Sequence, residues 1–310
     1  MAAITAKMVS DLRAKTGCGM MECKKALTET NGDFDEAVKL LRERGLAVAT
    51  KKASRIASEG VVDILVSDDK RSAAMIEVNA ETDFVAKNAL FLEFVQGILK
   101  TILETRPASV EELLTKKYDD SFTVEEKRIE MVQTIGENMN IRRFVIVDGI
   151  LSTYIHGKGT TGVIVKFNTD DAVADTAEFA EFARNIALQV AGMPVPYLNR
   201  ESVPADVLEE EKGIILAQLK NDPKNASKPE QILEKMIVGK IGKFFEKNCL
   251  IEQPYVKEDK MTVGQYVDAT AKALGTKIEI VEFVMFEKGE GLQKREENFA
   301  DEIEKLVNGN

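Results

Sequence analysis

Gly60-Val61-Val62-Asp63-Ile64-Leu65-Val66, the turn residues Asp68-Asp69-Lys70, and Ala73-Ala74-Met75-Ile76-Glu77-Val78-Asn79 decide the fold, because the chain writes this arrangement twice. Ile150 to Ile155, the turn Gly157-Lys158-Gly159, and Gly162 to Asn168 form the second copy. Apolar runs of this length between turn residues read as paired strands. A shift of 89 residues lays Gly60 on Gly149 and Asn79 on Asn168. A shift of 88 matches the segments C-terminal to the two hairpins: Ala89 with Ala177, Phe91 with Phe179, Glu93 with Glu181, Phe94 with Phe182, Ile98 with Ile186. Phe91, Phe94 and Ile98 recur at helical spacing, so each copy lays one apolar helix face on its own hairpin. Hairpin plus covering helix, twice, predicts an α+β core of two similar halves with antiparallel sheets.

Before this core, residues 1–55 read as a three-helix unit. Thr5 caps a first helix to about Lys15, and Thr16-Gly17-Cys18-Gly19 breaks it. A second helix from about Met20 stops at Asn31-Gly32, and Asp33 with Glu36 forms a capping-box pattern for a third. Gly45 stands where a C-cap glycine belongs, which makes Lys51-Lys52-Ala53-Ser54-Arg55 a basic linker. The first half of the core then covers 56–148, with two helices announced by Ser109/Glu112 and Thr123/Glu126. The second half covers 149–286 and contains a helical hairpin at about 204–247, with Pro204 and Pro229 at first helical positions. A helix from Thr262 to Leu274 and an apolar strand from Ile278 to Phe286 return to the core. Residues 287–310 form a C-terminal module whose Phe299, Ile303, Leu306 and Val307 mark an acidic amphipathic helix.

Composition narrows the chemistry. The chain carries 42 Lys and Arg against 52 Asp and Glu, a net charge of −10, although residues 1–60 are slightly basic. An acidic chain without tryptophan is a poor fit for gripping phosphate backbones. Cys18, Cys23 and Cys249 make neither a disulfide framework nor a zinc pattern, and read as buried or half-buried thiols. No apolar run is long enough to span a membrane, and Met1 to Thr5 lack the marks of a signal peptide, so a cytoplasmic location is expected. Gly157, Gly159 and Gly162 match Gly-x-Gly-x-x-Gly, but they lead into a strand, where a dinucleotide site needs a helix. The one histidine, His156, sits at the same turn with no nucleophile beside it, which favours a polar or partner-facing role over a catalytic base. No catalytic constellation, metal site or cofactor motif emerges, so no enzyme activity is expected.

Aligning the halves isolates one departure. Glu81-Thr82-Asp83-Phe84-Val85-Ala86-Lys87-Asn88 stands where the second half has Asp170-Asp171-Ala172-Val173-Ala174-Asp175-Thr176. The packing phenylalanines are common to both halves, and Phe84 is not. An aromatic beside a carboxylate in this loop is either a buried plug or a protruding wedge, and the burial preference of phenylalanine favours the plug. Met20-Met21 pose the same question, because adjacent residues cannot easily both face inward, and methionine suits adaptable contact surfaces.

Asn79 to Asn88 closely resembles a signature of the bacterial elongation factor Ts family, as do Thr16 to Leu27 and Gly136 to Arg143. The resemblance runs along nearly the whole chain in the family's order. It implies a ubiquitin-associated-like N-terminal domain, the two-half core, the helical hairpin and a C-terminal helix. It also implies guanine nucleotide exchange on elongation factor Tu, bound both with GDP and without nucleotide. Thr82, Asp83, Phe84 and Val85 would then press between helices of that partner and displace its Mg²⁺ support, which turns the expectation for Phe84 from plug to wedge. Arg13, Met20, Met21, Lys24 and His156 would make further partner contacts. Direct contact with nucleic acid or membrane is not expected. The competing readings are a ribosome- or RNA-associated module using the basic N-terminal segment, and a ubiquitin-like adaptor by analogy of the three-helix unit.

Overall fold

Each element begins where a side chain captures orphan backbone N–H groups or an apolar face finds cover. A computed structural model describes residues 4–222 and 228–293. Its N-terminal bundle consists of α1 (Ala6–Thr16), α2 (Met20–Glu29) and α3 (Phe34–Lys52). The Thr5 hydroxyl accepts from Met8 N–H, and the Asp33 carboxylate from Asp35 and Glu36 N–H. Leu12, Cys23, Ala26, Leu27, Ala37 and Leu41 are buried together between the three helices.

The core's first half comprises β1 (Glu59–Val66), β2 (Ser72–Ala80), the single-turn α4 (Asp83–Ala86), α5 (Ala89–Thr105), α6 (Val110–Thr115), α7 (Val124–Ile135) and β3 (Met139–Asp148). The second comprises β4 (Ile150–His156), β5 (Thr161–Asn168), α8 (Asp171–Ala174), α9 (Ala177–Gly192), α10 (Ala205–Asn221), α11 (Glu230–Asn248), the ribbon β6 (Pro254–Tyr255) and β7 (Glu258–Thr262), α12 (Val263–Leu274) and β8 (Glu279–Glu287). Two antiparallel three-stranded sheets result, ordered β1-β2-β3 and β4-β5-β8.

The repeat holds down to register. Gly60 pairs with Asn79, and the hairpin Ile150↔Phe167 keeps the same register 89 residues later. Gly60 (φ 119°) and Gly149 (φ 133°) share a left-handed backbone that side chains rarely adopt. A β-bulge falls at Glu77/Val78 in one sheet and at the equivalent Lys166/Phe167 in the other.

Strand alternation then sorts the core. Val61, Ala74, Ile76 and Val78 pack under Phe91, Phe94 and Ile98 of α5, while Val163, Val165 and Phe167 pack under Phe179, Phe182 and Ile186 of α9. The opposite faces contribute Val62, Ala73, Met75, Ile164 and Phe286 to a seam between the sheets. The order of layers is helix, sheet, sheet, helix. Val62 N–H donates to Gly159 O across the seam at 2.8 Å, and Gly149 N–H to Arg71 O at 2.8 Å.

Several expectations need correction. Helix α3 does not end at Gly45 but runs through Lys51 and Lys52, because Gly45 faces α7, where an added Cβ would lie 2.7 Å from Gln133 Oε1 and 3.3 Å from Ile129 Cγ2. It is a packing glycine, and the linker shortens accordingly. Residues 139–148 form a third strand that the hairpin reading left out, and residues 254–262 add the small ribbon. Thr123 and Glu126 form a full capping box, whereas Glu112 accepts from Ala108 N–H instead of Ser109 N–H. Pro204 and Pro229 cap α10 and α11 from one position outside the helix. The amphipathic tail helix lies outside the described residues.

Candidate functional site

A four-residue helix cannot hold itself together in water, so α4 exists only because its surroundings fix it. Thr82 is its N-cap, 3.5 Å from Val85 N–H. The Thr82 hydroxyl donates to Glu137 Oε1 at 2.7 Å, and Thr82 N–H donates to Glu137 Oε2 at 3.0 Å. In return Asn138 N–H donates to Glu81 Oε1 at 2.6 Å. Val85 is buried in the α5 core and anchors the turn from below.

With Thr82 and Val85 committed inward, Asp83 and Phe84 face out. Phe84 is 80% exposed, the largest value among the exposed large apolar side chains of the described residues, so the buried plug is ruled out. Asp83 pairs with Lys87 at 2.6 Å, and this bond holds its carboxyl below the usual range. The four residues named as one motif therefore divide into two that hold and two that project.

The base under this turn is equally fixed. Gly136 ends α7 in a left-handed conformation, and its carbonyl accepts from the Lys52 ammonium. Asn138 Nδ2 donates to Arg55 O at 2.9 Å and Ala53 O at 3.4 Å. The end of α3, the exit of α7 and the base of α4 are thereby tied at one node. Neither Glu137 nor Asn138 was assigned a role by sequence reasoning, although both stand in the Gly136–Arg143 motif that signalled them.

The N-terminal residues gather elsewhere. Met20 and Met21 occupy the first two positions of α2 and are 43% and 65% exposed, so neither joins the bundle core. Arg13, near the end of α1, and Lys24 are exposed too. Burial pushes the Cys18 and Cys23 thiols beneath them above the usual range, which leaves them protonated and unreactive at neutral pH. This patch touches the core through Thr134 of α7, whose hydroxyl donates to Gly17 O at 3.5 Å. Both patches therefore rest on the last turns of α7 and its exit.

His156 ends β4, exposed, with Nδ1 3.0 Å from the Tyr154 hydroxyl. Its turn is joined to the base of β1 by Lys288, whose N–H donates to Thr160 O at 2.8 Å while its ammonium pairs with Glu59. The positive charge of Lys288 also acts on Asp83. Through Lys288 the His156 turn is thus linked to the start of β1, the strand against which α4 packs. Gly157 and Gly159 turn that hairpin with positive φ, and Gly162 stands in β5, as a hairpin reading of the glycines requires. Among the described residues no three His, Cys, Asp or Glu side chains gather as a metal site, and no helix is long and apolar enough to cross a membrane.

What remains is a surface of projecting side chains on rigid supports, a geometry for contact with another macromolecule. Comparison with known proteins gives this surface a lineage. The family model described as "Elongation factor TS" matches residues 81–290. The chain is 44% identical over 310 residues to "Elongation factor Ts" of Clostridium botulinum, covering 98% of this chain and 99% of that one. It is likewise 44% identical over 311 residues to "Elongation factor Ts" of Clostridium kluyveri, covering 99% of each. Matched in its core by the family model and along nearly its full length by these relatives, the chain belongs to the elongation factor Ts family of translation elongation factors.

Proposed function

We propose that this chain is the guanine nucleotide exchange factor of elongation factor Tu, and that Asp83 and Phe84 are the part of it that acts on the partner's nucleotide site. The observation that carries this reading is an aromatic ring 80% exposed on a single helical turn braced from behind at Thr82 and Val85. Leaving such a ring in water is costly, and the braced turn gives it direction. Entering between helices of the partner, it displaces the elements that support Mg²⁺. The ion bridges the nucleotide phosphates to the GTPase, so loss of its support weakens GDP binding. Arg13, Met20, Met21, Lys24 and His156 supply flanking contacts.

Linkage sets the energetics. Whatever weakens GDP binding by some factor must itself bind the GDP-loaded partner more weakly than the empty one by the same factor. Exchange therefore needs no bond made or broken, and no catalytic side chain. The partner is recognised in both states, without nucleic acid or membrane contact. The net charge of −10 speaks against the RNA-module reading.

The test is release of fluorescent GDP from elongation factor Tu. Catalytic amounts of this chain should accelerate release without hydrolysing GTP. A folded chain that leaves release unchanged would overturn the assignment. A tight complex with naked RNA at physiological salt would instead favour the RNA module.

A further inference from the structure

The exposed ring explains what touches a partner, but nothing in Phe84 itself explains why it points one way. Its helix has one turn, and its side chain makes no aromatic pair among the described residues. The N-cap bond from Val85 N–H is long, at 3.5 Å. The shorter bonds of Thr82 run instead to Glu137, whose two carboxylate oxygens separately take the Thr82 hydroxyl (2.7 Å) and the Thr82 N–H (3.0 Å). A carboxylate is suited to this task because it accepts only, at two divergent oxygens, and its charge strengthens both bonds. Thr82 N–H precedes the helix and has no intrahelical acceptor, so Glu137 satisfies a donor that the short turn cannot.

Glu137 is fixed in its turn. Gly136 before it ends α7, and Asn138 after it is bonded to Glu81, Ala53 and Arg55. Two reciprocal carboxylates, Glu137 onto Thr82 and Glu81 onto Asn138, therefore clamp the entry of the turn to the exit of α7. Such a clamp opposes rotation of α4 about its own entry strand. On partner contact, the ring then has less freedom to lose.

We propose that Glu137 is a positioning residue for nucleotide exchange, acting through Thr82 to hold Phe84 in its projecting orientation. This rests on the reading of Phe84 as the group that acts on the partner. The decisive experiment is a double-mutant cycle on GDP release from elongation factor Tu, combining Glu137→Ala with Phe84→Ala. Glu137→Ala should lower kcat/KM for exchange about fivefold when Phe84 is present, and hardly at all when Phe84 is already Ala. Equal losses in the two backgrounds would overturn the proposal, because Glu137 would then act through the fold at large. If Phe84→Ala alone left exchange unchanged, the reading of Phe84 would fail instead, which a single measurement identifies.

Two further variants keep the test open should Glu137→Ala fold poorly. Glu137→Gln keeps an acceptor for Thr82 N–H and can donate to the hydroxyl, so it should fall between wild type and Glu137→Ala. Thr82→Val removes the hydroxyl alone and should show the same dependence on Phe84. Amide hydrogen exchange on the free chain gives a readout without the partner. Glu137→Ala should expose the amides of 82–86 while those of β1 and β2 stay protected. Unchanged protection at 82–86 would contradict the clamp.

Discussion

Phe84 leaves most of its ring in water, while Phe91 and Phe94 on the next long helix are 0% and 1% exposed. The same residue type thus serves two purposes within eleven positions, and substitution separates them. Phe91→Ala or Phe94→Ala should destabilise the chain by about 3–5 kcal/mol, because each leaves a cavity under α5. Phe84→Ala should change stability by about 0.5 kcal/mol or less, as exposed substitutions do, and denaturant titration of the three variants checks both. Residue type alone pointed the wrong way here, since phenylalanine is usually buried. Only the comparison between halves and the family resemblance together set Phe84 apart from its neighbours. Glu137 was harder to read, because its bonds reach backbone and side-chain donors 55 positions away.

The elements that were legible were those whose pattern is local: paired apolar runs with turn residues between them, and helices announced by capping side chains. Strand β3 was missed because Arg142 and Arg143 interrupt its apolar run, and those charges are there for Glu77, with Arg142 at 3.0 Å and Arg143 at 2.7 Å. The length of α3 was misread because a helix-ending glycine and a helix-packing glycine look alike in sequence. Both errors share a cause, a distant partner. The glycines themselves test this. At Gly162 an added Cβ would sit 2.6 Å from Val62 Cγ1 and 2.8 Å from Met75 Sδ, between the sheets. Gly162→Ala should therefore cost about 1–3 kcal/mol through overpacking of the seam. Gly45→Ala meets the flexible end of Gln133 first and gains helix propensity, so it should be close to neutral, whereas Gly45→Leu should loosen the bundle from α7. Thermal unfolding of the three variants would show that ranking; a neutral Gly162→Ala would show the seam to be looser than these distances imply.

Across the whole molecule, Glu77 joins the halves. Its carboxylate is wholly buried on β2, yet it accepts from Gly289 N–H at 2.8 Å, beyond the end of β8, and Arg143 reaches Glu290 at 3.0 Å. Burial is the largest influence on this carboxyl and opposes its ionisation. Gly289 N–H, the Asn79 amide and the two guanidinium groups together outweigh it and hold the carboxyl below the ordinary 4.5. A depressed folded value means stability that is fully present above the unfolded value and lost as pH falls through the folded one. Unfolding free energy should thus fall below about pH 4.5, and Glu77→Gln should flatten that fall. At neutral pH the same variant should cost on the order of 3 kcal/mol, because it removes the buried carboxylate that the two guanidinium groups share. An acid limb of the same steepness in wild type and variant would remove Glu77 from this role.

The halves and the N-terminal bundle together place an exposed ring on a braced turn, and the proposed exchange activity depends on that ring acting outward. Stopped-flow release of fluorescent GDP from elongation factor Tu, run with wild type and Phe84→Ala at matched concentrations, tests this most directly when each protein's melting temperature is taken from the same preparation. The expected result is exchange slowed several-fold with an almost unchanged melting temperature. A Phe84→Ala chain that melts far lower yet exchanges as well per folded molecule would contradict the outward role of the ring.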